Sequence, residues 1–208
     1  PVMCCPVARC VAIRLQRLGA SGSFVRSWRE DEACAILQYL RPFNLPETSV
    51  QLDMVIADSV ADFSAIQGRD GWFYGYYGGS PVSVADFVEL SQFGEGAWGL
   101  GADYWTLLNV SGGHPQSLTT SGGRIPANHW VTRRWQSDVG GSLSITGLLN
   151  HPNRVGDVGD GTIARIYVDG VEVFSRLVDR YLPEEGVSFD VDVDVASGAL
   201  VDFVIDPR

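Results

Sequence analysis

From Ser49 onward the chain alternates apolar and polar positions with a period of two, which predicts strands with one buried and one wetted face. The predicted strands are Val50–Ile56, Trp72–Tyr77, Val84–Leu90, Tyr104–Val110, His129–Gln136, Ser142–Leu148, Thr162–Val168, Glu172–Leu177, Val187–Val195 and Leu200–Ile205. Glycine, Asp and Asn turn residues separate them. Asp169-Gly170 between two apolar runs predicts a two-residue type I′ hairpin, a turn that needs positive φ at both central residues. In Val187–Val195 the alternation is unbroken, with Ser188, Asp190, Asp192 and Asp194 on one face and apolar residues on the other. Many short strands with frequent turns point to an all-β fold, an antiparallel β-sandwich of jelly-roll type. No repeat of fixed period stands out, which disfavours a propeller or solenoid.

The first 46 residues follow another pattern. Cys10–Leu18 (CVAIRLQRL) spaces its apolar and Arg positions at a helix-compatible interval. Glu30–Leu40 (EDEACAILQYL) predicts a second short helix with acids in its first turn, where the helix dipole favours them. Charge divides the chain at the same place. Residues 1–46 carry six Arg and three acids, whereas residues 47–208 carry nine Arg and 22 acids. All four cysteines, Cys4, Cys5, Cys10 and Cys34, also fall in the first segment. The chain therefore reads as a basic, Cys-bearing, partly helical N-terminal extension (1–46) on an acidic β-sandwich domain (47–208). The extension has the basic, acid-poor composition of a transit peptide; an N-terminal extension without a targeting role is the alternative.

Composition narrows the function classes. A net charge of −10 disfavours general binding of nucleic acid, whose phosphates call for a positive surface. The chain contains no Lys, which removes Schiff-base chemistry and P-loop phosphate binding. No apolar run approaches the roughly 18 to 20 residues that span a bilayer as a helix, so membrane insertion of that kind is not expected. Neither G-x-S-x-G nor H-E-x-x-H occurs, and His114, His129 and His151 share no ligand spacing.

Three sets of residues still carry chemistry. Aromatic residues make up 11% of the chain and gather at Trp72–Tyr77 (WFYGYY), Trp98, Tyr104-Trp105, Trp130 and Trp135. Flat aromatic faces flanked by polar side chains bind sugars, which present apolar C–H faces and hydroxyls. The candidate ligand-binding residues are Trp72, Tyr74, Tyr76, Trp105 and Trp135 as platforms, with His114 and Arg133 as hydroxyl donors; burial of some in the core is the competing reading. Glu89 and Glu172, each on its own predicted strand, are the candidate acid and base if the fold instead carries a glycoside hydrolase or polysaccharide lyase. Asp157 and Asp160, in the Gly- and oxygen-rich loop Asn150–Gly161, are candidate Ca²⁺ ligands, although plain turn chemistry accounts for them too.

Seven short motifs occur in order: Asp62-Phe-Ser64, Gly71-Trp-Phe-Tyr-Gly-Tyr-Tyr77, Gly113-His-Pro115, Val131-x-Arg-Arg-Trp-x-Ser137, Gly159-Asp-Gly161, Ile166-x-Val-Asp-Gly170 and Val201-Asp-Phe-x-Ile-Asp-Pro207. Together, over about residues 58–208, they resemble the galactose-binding-like jelly rolls and carbohydrate-binding modules of secreted bacterial multidomain proteins. The resemblance implies non-catalytic attachment to a polysaccharide or other glycan, an extracellular or cell-surface location and often a structural calcium. A structural or adhesive module that meets protein partners is the remaining alternative. The sequence leaves the glycan and the oligomeric state open.

Overall fold

The structure, a computed structural model, describes residues 9–17, 55–81, 83–119, 123–151 and 161–208. These residues form fourteen strands: β1 (Arg9–Arg17), β2 (Val55–Asp58), β3 (Trp72–Tyr77), β4 (Val88–Glu89), β5 (Gln92–Gly94), β6 (Ala97–Gly99), β7 (Leu107–Asn109), β8 (Gly112–His114), β9 (Trp130–Gln136), β10 (Gly141–Asn150), β11 (Thr162–Val168), β12 (Val171–Val178), β13 (Val187–Val195) and β14 (Leu200–Asp206). The helical content of the described residues is two single 3-10 turns, Arg69–Gly71 and Val84–Asp86.

The strands build an all-β sandwich. One sheet has the order β13-β10-β1-β2 and the other β12-β11-β14-β9-β3-β4, with every pairing antiparallel. A small meander, β5-β6-β7-β8, joins them. Ile13, Leu15, Leu143, Ile145, Phe189 and Val193 of the four-stranded sheet share one core with Trp72, Val131, Trp135, Val201 and Phe203 of the six-stranded sheet. Trp98 and Leu108 bring the meander into that core. On β13, Ser188, Asp190, Asp192 and Asp194 are exposed while Phe189, Val193 and Val195 are buried, the alternation expected of a sheet with one wet face. The β11–β12 hairpin turns on Asp169 (φ 48°) and Gly170 (φ 84°), both left-handed, as a type I′ turn requires.

Three local expectations are corrected. Cys10–Leu18 is not a helix: Arg9–Arg17 is strand β1, held between β10 and β2. Ile13 and Leu15 are fully buried while Arg14 is exposed, so pairing with β10 decides a segment whose apolar spacing suits either period. The basic segment thus contributes a strand to the sandwich. Val84–Leu90 is not one strand either. Ser83 accepts a hydrogen bond from the Ala85 amide and Asp86 accepts one from the Ser83 amide, a capping box that winds Val84–Asp86 into a turn. Only Val88 and Glu89 then pair with β3, at Gly75, where a Cβ would strike Phe87 and the Val88 carbonyl. Of Tyr104–Val110, only Leu107–Asn109 is extended in a ladder. The predicted helix Glu30–Leu40, the residues Cys4, Cys5 and Cys34, and the candidate calcium ligands Asp157 and Asp160 lie outside the described residues.

Candidate functional site

Adjacent strands β3 and β9 carry five of the seven predicted ligand-binding residues, and their pleat decides the fate of each. Trp72 pairs with Trp135 and Tyr74 with Arg133, all four facing the sandwich interior. Trp72 and Trp135 are 0% and 2% exposed and belong to the core, so neither offers a sugar platform. Tyr74 stacks on Trp98 at 5.8 Å, and its hydroxyl accepts the Ser64 amide hydrogen. Burial pushes that phenol's pKa above its ordinary value. Arg133 is equally committed: its guanidinium donates to the carbonyls of Ser59, Asn109 and Val110, tying two loops to β9. It cannot also serve as a hydroxyl donor to a ligand. His114 is 5% exposed, with Nδ1 on the Pro115 carbonyl at 2.7 Å. Burial holds its pKa below the usual histidine range, which keeps it neutral and away from the surface.

The paired-carboxylate expectation fails on distance. Glu89 lies on β4 and Glu172 on β12, the two opposite edges of the six-stranded sheet. Five strand intervals of about 4.8 Å separate them by roughly 24 Å, far beyond the ~5–9.5 Å of a glycosidase pair. Glu172 instead binds Arg165 (2.7 Å) and accepts from Tyr167 (3.1 Å) on the outer face.

That outer face holds two closed ionic networks. Arg134, one residue from Arg133 and so on the opposite side, meets both Asp202 oxygens at 2.7 and 2.9 Å and the Tyr77 hydroxyl at 2.6 Å. Tyr77 donates to Asp202 at 2.6 Å, and the Phe87 ring lies 4.1 Å from the guanidinium carbon. Alongside, Arg165 bridges Asp206 and Glu172. Burial, reinforced by the Glu172 carboxylate, pushes the Tyr167 phenol up to about 12.

Tyr76 and Trp105 remain, both half-buried, and they lead to a cluster beside the meander. The His129 ring lies 4.3 Å from Tyr76 and 5.5 Å from Tyr104. Trp105 stacks on His114 at 5.6 Å, and the Arg124 guanidinium sits 4.4 Å from the indole centroid. Asn128 accepts from the Trp130 indole, and Arg165 lies over that ring at 5.3 Å. The backbones of Gln116 and His129 form an isolated antiparallel bridge, 3.1 and 2.8 Å, which fixes the loop on the start of β9. Above it, Gln116 Oε1 accepts the Trp105 amide (2.7 Å) and the Thr106 hydroxyl (3.3 Å), while Gln116 Nε2 donates to the Ile125 carbonyl. Thr106 Oγ1 also lies 2.8 Å from His129 Nδ1. Burial lowers the His129 pKa, so the ring is neutral at neutral pH.

Tyr104, Gln116, Arg124, Asn128 and His129 were not singled out as site residues by sequence reasoning. The sequence places Tyr104 among the aromatics and sets His129 aside for want of a ligand spacing, and nothing about Gln116 or Arg124 in the sequence shows what they touch. The cluster has half-buried aromatic rings with hydrogen-bonding groups of both signs at their edges, and no carboxylate is among the contacts described for it. Among the described residues, no group of three or more His, Cys, Asp or Glu is placed to hold a metal ion. No family model matches the chain, and neither a curated protein nor a solved structure matches it.

Proposed function

We propose that the chain is a non-catalytic carbohydrate-binding module of jelly-roll type, acting outside the cell or at its surface, and that it meets glycan at the Tyr76–Tyr104–Trp105–His129 cluster. The observation that supports this reading is the gathering of half-buried aromatic rings with Arg124, Asn128 and His129 at their edges. A sugar ring lays its C–H face on such rings while its hydroxyls find the polar groups around them. Arg124 covers one face of Trp105, so a sugar stacking there takes its place over the indole. In this reading the glycan is a partner; Glu89 and Glu172, on opposite sheet edges, do not form the paired acid and base that the hydrolase alternative calls for.

The test is depletion of the full chain by a panel of soluble and insoluble polysaccharides, with released reducing ends scored in parallel. Binding without release is expected, and Tyr104→Ala and Trp105→Ala should each lower affinity tenfold or more, about 1.4 kcal/mol. Binding that both variants retain, or release of reducing ends, overturns the proposal. The same assay in EDTA tests the calcium expected at Asp157 and Asp160: its removal should weaken binding if that loop is metal-held.

A further inference from the structure

The hydrogen bonds around Gln116 fix the orientation of its side-chain amide. A carboxamide oxygen accepts and its nitrogen donates. Gln116 Nε2 faces the Ile125 carbonyl and Oε1 faces the Trp105 amide, so exchanging the two would set acceptor against acceptor and donor against donor. Oε1 also faces the Thr106 hydroxyl at 3.3 Å, and we take that hydroxyl as donating its single proton there. On that assignment Thr106 Oγ1 accepts at its 2.8 Å contact with His129, and Nδ1 of that ring carries the hydrogen. A neutral imidazole protonated at Nδ1 has its lone pair on Nε2. Among the described residues that nitrogen makes no hydrogen bond, and its half-buried ring lies against Tyr76 and Tyr104.

We infer that His129 Nε2 is a fixed hydrogen-bond acceptor that reads a ligand hydroxyl, making the cluster selective for neutral, hydroxyl-donating sugars over uronate or sulfated ones at neutral pH. The inference rests on the carbohydrate reading above. A carboxylate or sulfate has no proton to offer the lone pair and meets it as acceptor against acceptor. Protonation of His129 converts Nε2 to a donor and inverts the preference. The groups packed on the ring are Tyr76 from β3 and Tyr104, Thr106 and Gln116 from the loop and bridge. Burial is the one cause of its lowered pKa, and no charged side chain contributes to it. The preference for neutral over acidic sugars should therefore be flat at neutral pH and weaken only below the ordinary histidine value of 6.5.

The test uses the full chain labelled with ¹⁵N. Long-range imidazole spectra at neutral pH, with His129 assigned by its loss in His129→Gln, should show the Nδ1–H tautomer. Thr106→Val should shift it towards a mixture, since the relay that fixes it is cut. In the binding assay, β-glucan and xylan should bind more tightly than polygalacturonate, and His129→Gln should erase the preference and the acid limb together. An Nε2–H tautomer in the wild type, tighter binding of the acidic polymer at neutral pH, or a pH profile unchanged in His129→Gln overturns the inference while leaving the carbohydrate reading intact. Failure of every polysaccharide to bind, with the tautomer as expected, overturns that reading and the acceptor role with it and leaves only the relay.

Discussion

The outer face of the six-stranded sheet and the His129 cluster are both rich in polar and aromatic groups, yet they differ in what they leave unused. On the outer face, Arg134, Asp202 and Tyr77 answer one another's donors and acceptors, and Arg165, Asp206, Glu172 and Tyr167 do the same. At the His129 cluster a chain of hydrogen bonds runs from the Trp105 amide through Gln116 and Thr106 and ends on a ring whose other nitrogen makes no hydrogen bond among the described residues. Local charge and aromatic density do not separate a site from a brace. Unused hydrogen-bonding capacity at the surface is what the proposed site has and the brace lacks.

The comparison breaks most easily at Asp202, which is 1% exposed. Asp202→Ala strands Arg134 in a buried setting and should cost about 3–5 kcal/mol in urea unfolding, with sugar affinity of the folded protein unchanged. A loss near zero would mean that the network is not a brace. Next comes Arg133→Met, which strips the carbonyls of Ser59, Asn109 and Val110 of their donor. About 2–4 kcal/mol of stability should go, given ~1.5–3 kcal/mol for a hydrogen bond from a charged group. Reduced glycan affinity at full stability would instead return Arg133 to the binding surface.

Alkali tests the outer face through Tyr167. The folded pKa of Tyr167, about 12, lies above its unbound value of 10.0, so the stabilisation from its neutral phenol is complete below pH 10 and is lost as pH rises towards 12. Tyrosinate absorbance and the unfolding midpoint should move together over that window, and Glu172→Gln should narrow it by removing the carboxylate that holds the proton on Tyr167. The smallest effect belongs to the exposed Ser142–Asp194 hydrogen bond between β10 and β13. Ser142→Ala should change stability by no more than about 0.5 kcal/mol, as for other exposed surface positions.

The sequence made much of the sandwich legible because burial imposes its own period. The alternation in Val187–Val195 and the Asp169-Gly170 turn are local facts of composition, and local composition decides them. Residues with two acceptable environments were not legible. Arg133 and Arg134 are chemically identical neighbours, and only the sheet shows that one caps carbonyls inside while the other pairs with Asp202 outside. Trp72 and Trp135 look like platforms in a list of aromatics and become core once β3 and β9 pair. Gln116, the centre of the relay, carries no signal because its partners are 10, 11 and 9 residues away along an irregular loop. Strand β1 reads as a helix because its interleaved Arg residues hide a partner far along the chain.

That partner has a consequence in time. Arg9 pairs with Asn150 and Arg17 with Leu143, so β1 leaves the ribosome roughly 130 residues before the strand that completes it. At about 5–20 residues per second, the wait lasts on the order of ten seconds. Throughout it, the edge of β1 that β10 will cover lacks its partner and is open to chance pairing, although β2 is available to the other edge much sooner. The yield of folded protein should therefore respond to synthesis speed as well as to final stability.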